Sequence, residues 1–168
     1  ALSRDMLYQL LPEAERARLH RAVYQVLRDR LGASLDSAPF DRLASLAHHA
    51  SRSVPATAKP EAEAIRLHLL LAERSDRRQT YELSERTYDA VLGWLNAQEP
   101  SYPTTLRGRA ISRFRLGRLD AAVRDLDEAA ASARSFQRPE LALECLLDEA
   151  MVLDWLCEYE RSARKVEE

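Results

Sequence analysis

The sequence predicts an all-α protein, and three observations carry that expectation. Only four glycines occur among 168 residues, and runs of β-branched residues are few, which favours helices over sheet. Apolar residues recur at helical spacing, and no strand candidate survives the tests of length and flanking residues. Seven prolines, Pro12, Pro39, Pro55, Pro60, Pro100, Pro103 and Pro139, fall between helical patterns or at helix starts, where a missing N–H costs least.

Reading between the prolines predicts each helix in turn. A short helix is expected over 3–10, with Ser3 as its N-cap. The next, 12–31, sets Leu19, Val23, Val26, Leu27 and Leu31 on one stripe and stops at Gly32. A third, 39–51, is expected to bury Phe40, Leu43, Leu46, Ala47 and Ala50. The polar stretch "SRSVPATAKP" then separates this part from the rest. Three pairs follow: 60–77 with 80–96, 103–116 with 119–135, and 139–156 with a helix from 158 onward. The expected organisation is a helical segment over 1–58 and three hairpins over 59–168, at about 60–97, 103–135 and 139–168, the last cut short.

Composition narrows the setting. The length suits a domain with a real core, and charged residues at 31% with abundant aliphatic ones predict a soluble chain that is not disordered. A net charge of -2 exerts no global pull toward nucleic acid or anionic membrane. No apolar stretch reaches the length of a membrane span, and no signal-peptide core opens the chain. Cys145 and Cys157, on one helix, would lie roughly 18 Å apart along its axis, too far for a disulfide. A reducing cytoplasm is the simplest setting.

Superposed, the hairpins repeat. Tyr81, Leu119 and Tyr159 correspond, spaced by 38 and 40 residues. The same register aligns small Ser84, Ala122 and Ser162, large Tyr88, Leu126 and Val166, and small Ala72, Ala110 and Ala150. Small residues let helices approach, large ones fill between pairs, and a fixed period is what stacked hairpins need.

With that pattern the chain resembles the tetratricopeptide repeat (TPR) family, from about 60 to the end. The best copy is "LRGRAISRFRLGRLDAAVRDLDEAA", 106–130. Ala110 stands at the family's small first-helix position and Gly117 at its turn glycine. Leu119 takes the aromatic position, and Ala122, Leu126 and Ala129 match the second-helix signature. Gln79 and Cys157 replace the turn glycine in the other copies, and Arg113 stands where a large apolar residue is usual. The resemblance implies antiparallel hairpins stacked in a right-handed superhelix. A second resemblance lies upstream. "MLYQLLPEAERARLHRAVYQVL" and "LASLAHHASRS" are similar to the helical region after the ATPase core of bacterial STAND-type signalling ATPases. Leu11, Pro12, Glu15, Arg16, Leu19, His20, Leu46, Ala47, His48 and His49 carry the match. It implies a piece of a larger signalling protein without its motor, as Glu168 falling inside a helix also suggests. No GxxxxGK[ST] loop occurs, so ATP binding is not expected.

Candidate chemistry is sparse. His48 and His49 are adjacent and point about 100° apart on a helix, unlike an i, i+4 metal pair. With His20 and His68 they are expected to be structural, so no metal and no cofactor is foreseen. Arg107, Arg109, Arg113, Arg115 and Arg118 form a basic run, followed by Asp120, Asp125, Asp127 and Glu128, which predicts a solvated face with local ion pairs rather than a nucleic-acid stripe. Glu82, Glu85, Asp89, Glu140, Glu144 and Asp148 are expected on outer faces, and no nucleophile motif occurs, so no catalysis is expected.

First helices of stacked hairpins line a concave surface that takes peptides. By the resemblance the lining is Arg66, Leu69, Glu73 and Arg77; Arg107, Ile111, Phe114 and Arg115; and Glu144, Leu147, Asp148, Met151 and Trp155, some of Leu69, Leu147 and Met151 being alternatively core. The expected function is protein–protein interaction or effector sensing within a larger protein, and the rival is a small-molecule inducer sensor. Leu153, Leu156, Tyr159, Ala163 and Val166 are expected to lie uncovered and to promote self-association through the C-terminal hairpin.

Overall fold

A computed structural model describes residues 4–31, 35 and 37–167. The expected roles of Ser3, Gly32 and Glu168 lie outside the described residues. Among those described there are nine α-helices and no strand: α1 (Arg4–Leu10), α2 (Glu13–Leu31), α3 (Phe40–Ser51), α4 (Ala62–Arg77), α5 (Tyr81–Trp94), α6 (Tyr102–Arg115), α7 (Leu119–Ser135), α8 (Pro139–Trp155) and α9 (Tyr159–Glu167). None of them is long and apolar enough to cross a membrane. The chain forms two compact units, Ala1–Leu71 and Ala72–Glu168, dividing inside α4.

In the first unit α2 packs on α3. The core holds Leu35, Leu43, Leu46, Ala47, Ala50, Ala64, Leu67 and Leu71, with Tyr24, Leu27, Leu31 and Phe40 packed against it. The α3 stripe is thus as its spacing predicts. The α2 stripe is so only at Leu27 and Leu31. Leu19, Val23 and Val26 are 50%, 41% and 48% exposed, and the helix buries Ala17 and His20 instead. Leu19, Val23 and Val26 lie an integral number of turns apart and share one face, as spacing requires. The face α2 turns inward is rotated from it, through His20, Tyr24, Leu27 and Leu31.

In the second unit α5 to α9 pack consecutively, and α6 also touches α8. A shared core runs through Leu106, Ala110, Ala122, Leu126, Ala129, Ala133, Cys145, Leu146 and Leu153. The helices reverse at one recurring turn. Gln79, Gly117, Gln137 and Cys157 all have positive φ, at 59°, 74°, 55° and 60°. At each, the next residue's N–H bonds a carbonyl five back: Thr80 to Ser75, Arg118 to Arg113, Arg138 to Ala133 and Glu158 to Leu153, all at 2.9–3.0 Å. This left-handed cap satisfies the last carbonyls of the outgoing helix and turns the chain. Glycine is the residue it suits best, yet only Gly117 is one.

The aligned small residues lie at the contacts. Ala72, Ala110 and Ala150 are buried, as are Ser84, Ala122 and Ser162. Ser84 Oγ donates to the Ala72 carbonyl (3.0 Å) and Ser162 Oγ to the Ala150 carbonyl (3.1 Å). A serine therefore serves where the middle copy has alanine, because the facing carbonyl accepts its hydroxyl. Tyr88 and Leu126 are buried large residues, but Val166 is 62% exposed and breaks that series. Gly108 has its own reason. A Cβ there would come within 2.7 Å of Cε1 on the buried Tyr88 ring. Of the terminal residues expected to be uncovered, Leu153 is instead fully buried and Leu156 partly so, while Tyr159, Ala163 and Val166 are exposed.

Candidate binding face

The basic run of α6 is divided by the helix itself. Arg109 and Arg113, four residues apart, share a face and reach into α5 and α7 rather than into solvent. Arg109 Nε and Nη2 grip the two oxygens of Asp125 at 2.8 Å each, and Nη1 bonds Asp89 at 2.7 Å. Arg113 bonds Asp125 (2.8 Å) and Glu85 (3.1 Å), and Glu85 also takes Arg118. Asp125 and Glu85 are each only 5% exposed. Burial opposes the Arg109 charge, but Asp125 and Asp89 more than offset it and raise its pKa. The solvated face expected here is therefore an internal network, and Glu85 is not on an outer face. Periodicity alone could not show this, because the partner acids lie on other helices. Arg113, a charge where the repeat resemblance implies a large apolar residue, is the signal that could have found it.

Arg107 lies on another face and joins α6 to α8. Its Nε bonds Asp148 at 2.7 Å, and Nη1 pairs with Glu144. Burial works against the guanidinium, yet Asp148 and Glu144 hold its pKa above the usual value. Three of the expected lining residues thus meet, one guanidinium between two carboxylates, which leaves the trio net acidic. Phe114 and Trp155 meet edge-on, with ring centroids 6.0 Å apart, and the Arg115 guanidinium lies 5.6 Å from the Phe114 centroid. Ile111 is half-buried, and Met151 is exposed. Glu73 and Arg77 form an exposed pair at 3.6 Å. Arg66 is exposed and belongs to the first unit, where Leu69 is half-buried.

Beside these charges α8 carries an exposed apolar row. Leu143, Leu147, Met151 and Trp155 are 56%, 50%, 38% and 69% exposed and stand one helical step of four apart. Leu143 was not foreseen as a lining residue. The signal was present: α8 also buries Leu141, Ala142, Cys145, Leu146, Val152 and Leu153, so it is apolar on more than the face it packs, beside the acidic Glu140, Glu144 and Asp148.

A second constellation, in the first unit, was missed. His20 on α2 meets His48 and His49 on α3, with ring centroids 5.4 and 4.8 Å away. His20 Nδ1 is 2.8 Å from His49 Nδ1, and His20 Nε2 is 2.7 Å from the Tyr8 hydroxyl on α1. Burial, then the charges of His49, His48 and Arg52, lowers the His20 pKa from 6.5 to about 4. Burial leads in lowering His48, His49 and His68 too. Among the described residues no group of three or more His, Cys, Asp or Glu is arranged to hold a metal ion. Two hollows lie nearby in this unit. One, of about 250 Å³, is lined by Tyr8, Arg16, His20 and Arg52 among others, and one of about 170 Å³ by Arg21, Tyr24 and Glu61 among others.

The fold and faces define an all-α protein of packed helical hairpins. No protein-family model matches the chain, and a search of curated proteins finds no match either.

Proposed function

We propose that the chain is a TPR-like interaction scaffold that holds a protein or peptide partner on the α6–α8 face. The observation that carries this reading is the exposed row Leu143, Leu147, Met151 and Trp155 beside Phe114. Apolar side chains in a continuous row lose their water only against a partner, and burying one contributes roughly 1.5–3 kcal/mol. Because Arg107 already occupies Glu144 and Asp148, the partner is read by apolar anchors more than by charge. An amphipathic helix with anchors at i, i+4 and i+7 has the matching pattern. The turn and small-residue register at 38 and 40 residues support the repeat assignment. A place in a cytoplasmic bacterial signalling ATPase rests on the upstream resemblance, whose His20, Leu46, Ala47 and His49 assemble in one unit. The inducer-sensor alternative needs an enclosed pocket; the two hollows of the first unit are smaller than the roughly 300 Å³ at which ligand sites begin, and one of about 490 Å³ at Asp154, Trp155, Cys157 and Tyr159 is open to solvent.

The test is selection of displayed helical peptides on the parent, followed by fluorescence anisotropy against Leu147→Glu and Met151→Glu. Both positions are exposed, so the variants should fold. Peptides that bind the parent and weaken about tenfold or more (1.4 kcal/mol) on either variant support the reading. No enrichment, or binding indifferent to both variants, overturns it. Concentration-dependent sedimentation abolished by Val166→Glu would instead make a second copy the partner, through the C-terminal hairpin.

A further inference from the structure

The histidine cluster has no part in the proposed binding face, and its geometry has a consequence of its own. His20 Nδ1 and His49 Nδ1 are 2.8 Å apart. Two imidazole nitrogens at that distance share one proton, one ring donating and the other accepting. Were both rings charged, two N–H groups would face each other and the bond would become a clash. At the far end, His20 Nε2 meets the Tyr8 hydroxyl, which can donate or accept. The chain Tyr8–His20–His49 therefore has room for one added proton and none for a second.

Its surroundings make even the first proton unwelcome. From α3 come His48 and His49, and from the following segment Arg52. His68 on α4 adds to the field at His48. From α1 comes Tyr8, whose ring lies 5.9 Å from the Arg16 guanidinium of α2. Of the charges that act on His20, Arg52 is a permanent cation and His48 and His49 repel it once protonated. The Glu13 carboxylate of α2 lines the same hollow but accepts the Ala56 N–H, and His20 is 7% exposed. Besides Tyr8, α1 is tied to α2 by the Arg16 Nη1 bond to Gln9 Oε1 at 3.4 Å. Its seven residues leave Met6, Leu7 and Leu10 more than half exposed, and an isolated helix of that length is unstable.

We propose that the Tyr8–His20–His49 chain is a proton-operated latch, which holds α1 on the α2–α3 pair at neutral pH and releases it on mild acidification. Release lets water reach His20 Nε2, so the opened state accepts the proton that the closed state refuses. Opening and protonation are then linked. Protons favour the state that binds more of them, so α1 is held above about pH 6.5 and is let go as pH falls toward about 4.

The test is hydrogen exchange of the α1 amides between pH 8 and pH 5, corrected for the intrinsic dependence of exchange on pH. If opening restores the ordinary value of His20, the α1 opening constant rises about ten- to thirtyfold by pH 5. The helices of Ala72–Glu168, a unit without histidine, serve as the control and stay unchanged. His20→Gln keeps a neutral polar group and should abolish the rise. A flat profile in the parent overturns the latch, as does a rise that survives in His20→Gln through the other histidines. Should circular dichroism show His20→Gln unfolded, Tyr8→Phe decides. It leaves every imidazole in place, and the latch requires α1 to be open already at pH 8 with no further rise. A parental profile in Tyr8→Phe overturns the proposal.

Discussion

Gln79 and Cys157 hold a left-handed backbone that Gly117 holds without strain. An L-residue there costs roughly 1–2 kcal/mol, against a glycine entropy cost of about 0.5–1 kcal/mol. Cys157→Gly, at an exposed turn, is therefore expected to stabilise by about 0.5–1 kcal/mol in urea unfolding. Gly117→Ala is expected to lose about 1 kcal/mol on the same measurement. Gly108 is required for a different reason, its approach to the Tyr88 ring. Gly108→Ala forces that buried ring to move and should cost about 1–3 kcal/mol. Unchanged urea midpoints in all three would deny the turn and the contact their energetic role. Cys145, by contrast, is buried, and burial pushes its thiol up to about 11, which makes it inert to alkylation in the folded state.

Between elements, the network of Arg109, Arg113, Asp125 and Glu85 ties α5, α6 and α7. Removing Arg113 leaves Asp125 with Arg109 and Glu85 with the more exposed Arg118, so the cost is expected at the low end of the about 3–5 kcal/mol of a broken buried pair. Arg113→Leu is expected to lose about that much. Combining it with Glu85→Leu should recover part of the loss, since the buried carboxylate left with Arg118 alone goes too. A single variant as stable as the parent would show that the network is dispensable. Ala122 faces a tighter constraint, at 0% exposure inside the α6–α8 core. Ala122→Glu should destabilise by several kcal/mol, visible as a collapse of the thermal midpoint.

For the whole molecule, the histidines and tryptophans segregate. His20, His48, His49 and His68 all belong to Ala1–Leu71, and Trp94 and Trp155 to Ala72–Glu168. All four histidines have lowered pKa values. The unfolded chain thus takes up protons near pH 6.5 that the folded unit refuses, and stability present above that pH is lost as pH falls toward about 4. Between pH 7 and 5 the unfolding transition read by ellipticity, which samples both units, should shift to lower denaturant. The transition read by tryptophan fluorescence should shift less. Coincident curves that move together would show one cooperative unit instead.

Periodicity and proline placement determined the helices, because a first-turn proline and an apolar repeat are local requirements that any packing must respect. Phe40–Ser51 and Leu119–Ser135 follow from them almost to the residue. The register of small residues foretold which positions meet, since close approach is a steric demand that sequence spacing displays. What a polar side chain faces is not local. Glu85 and Asp125 became partners of Arg113, and His20 a neighbour of His49, across separations of 28, 12 and 29 residues. The inward face of α2 was likewise decided by packing: Leu19, Val23 and Val26 make as good a stripe as the one it buries. Tertiary structure alone chose between them, because burial depends on what stands opposite, and a one-dimensional pattern does not contain that.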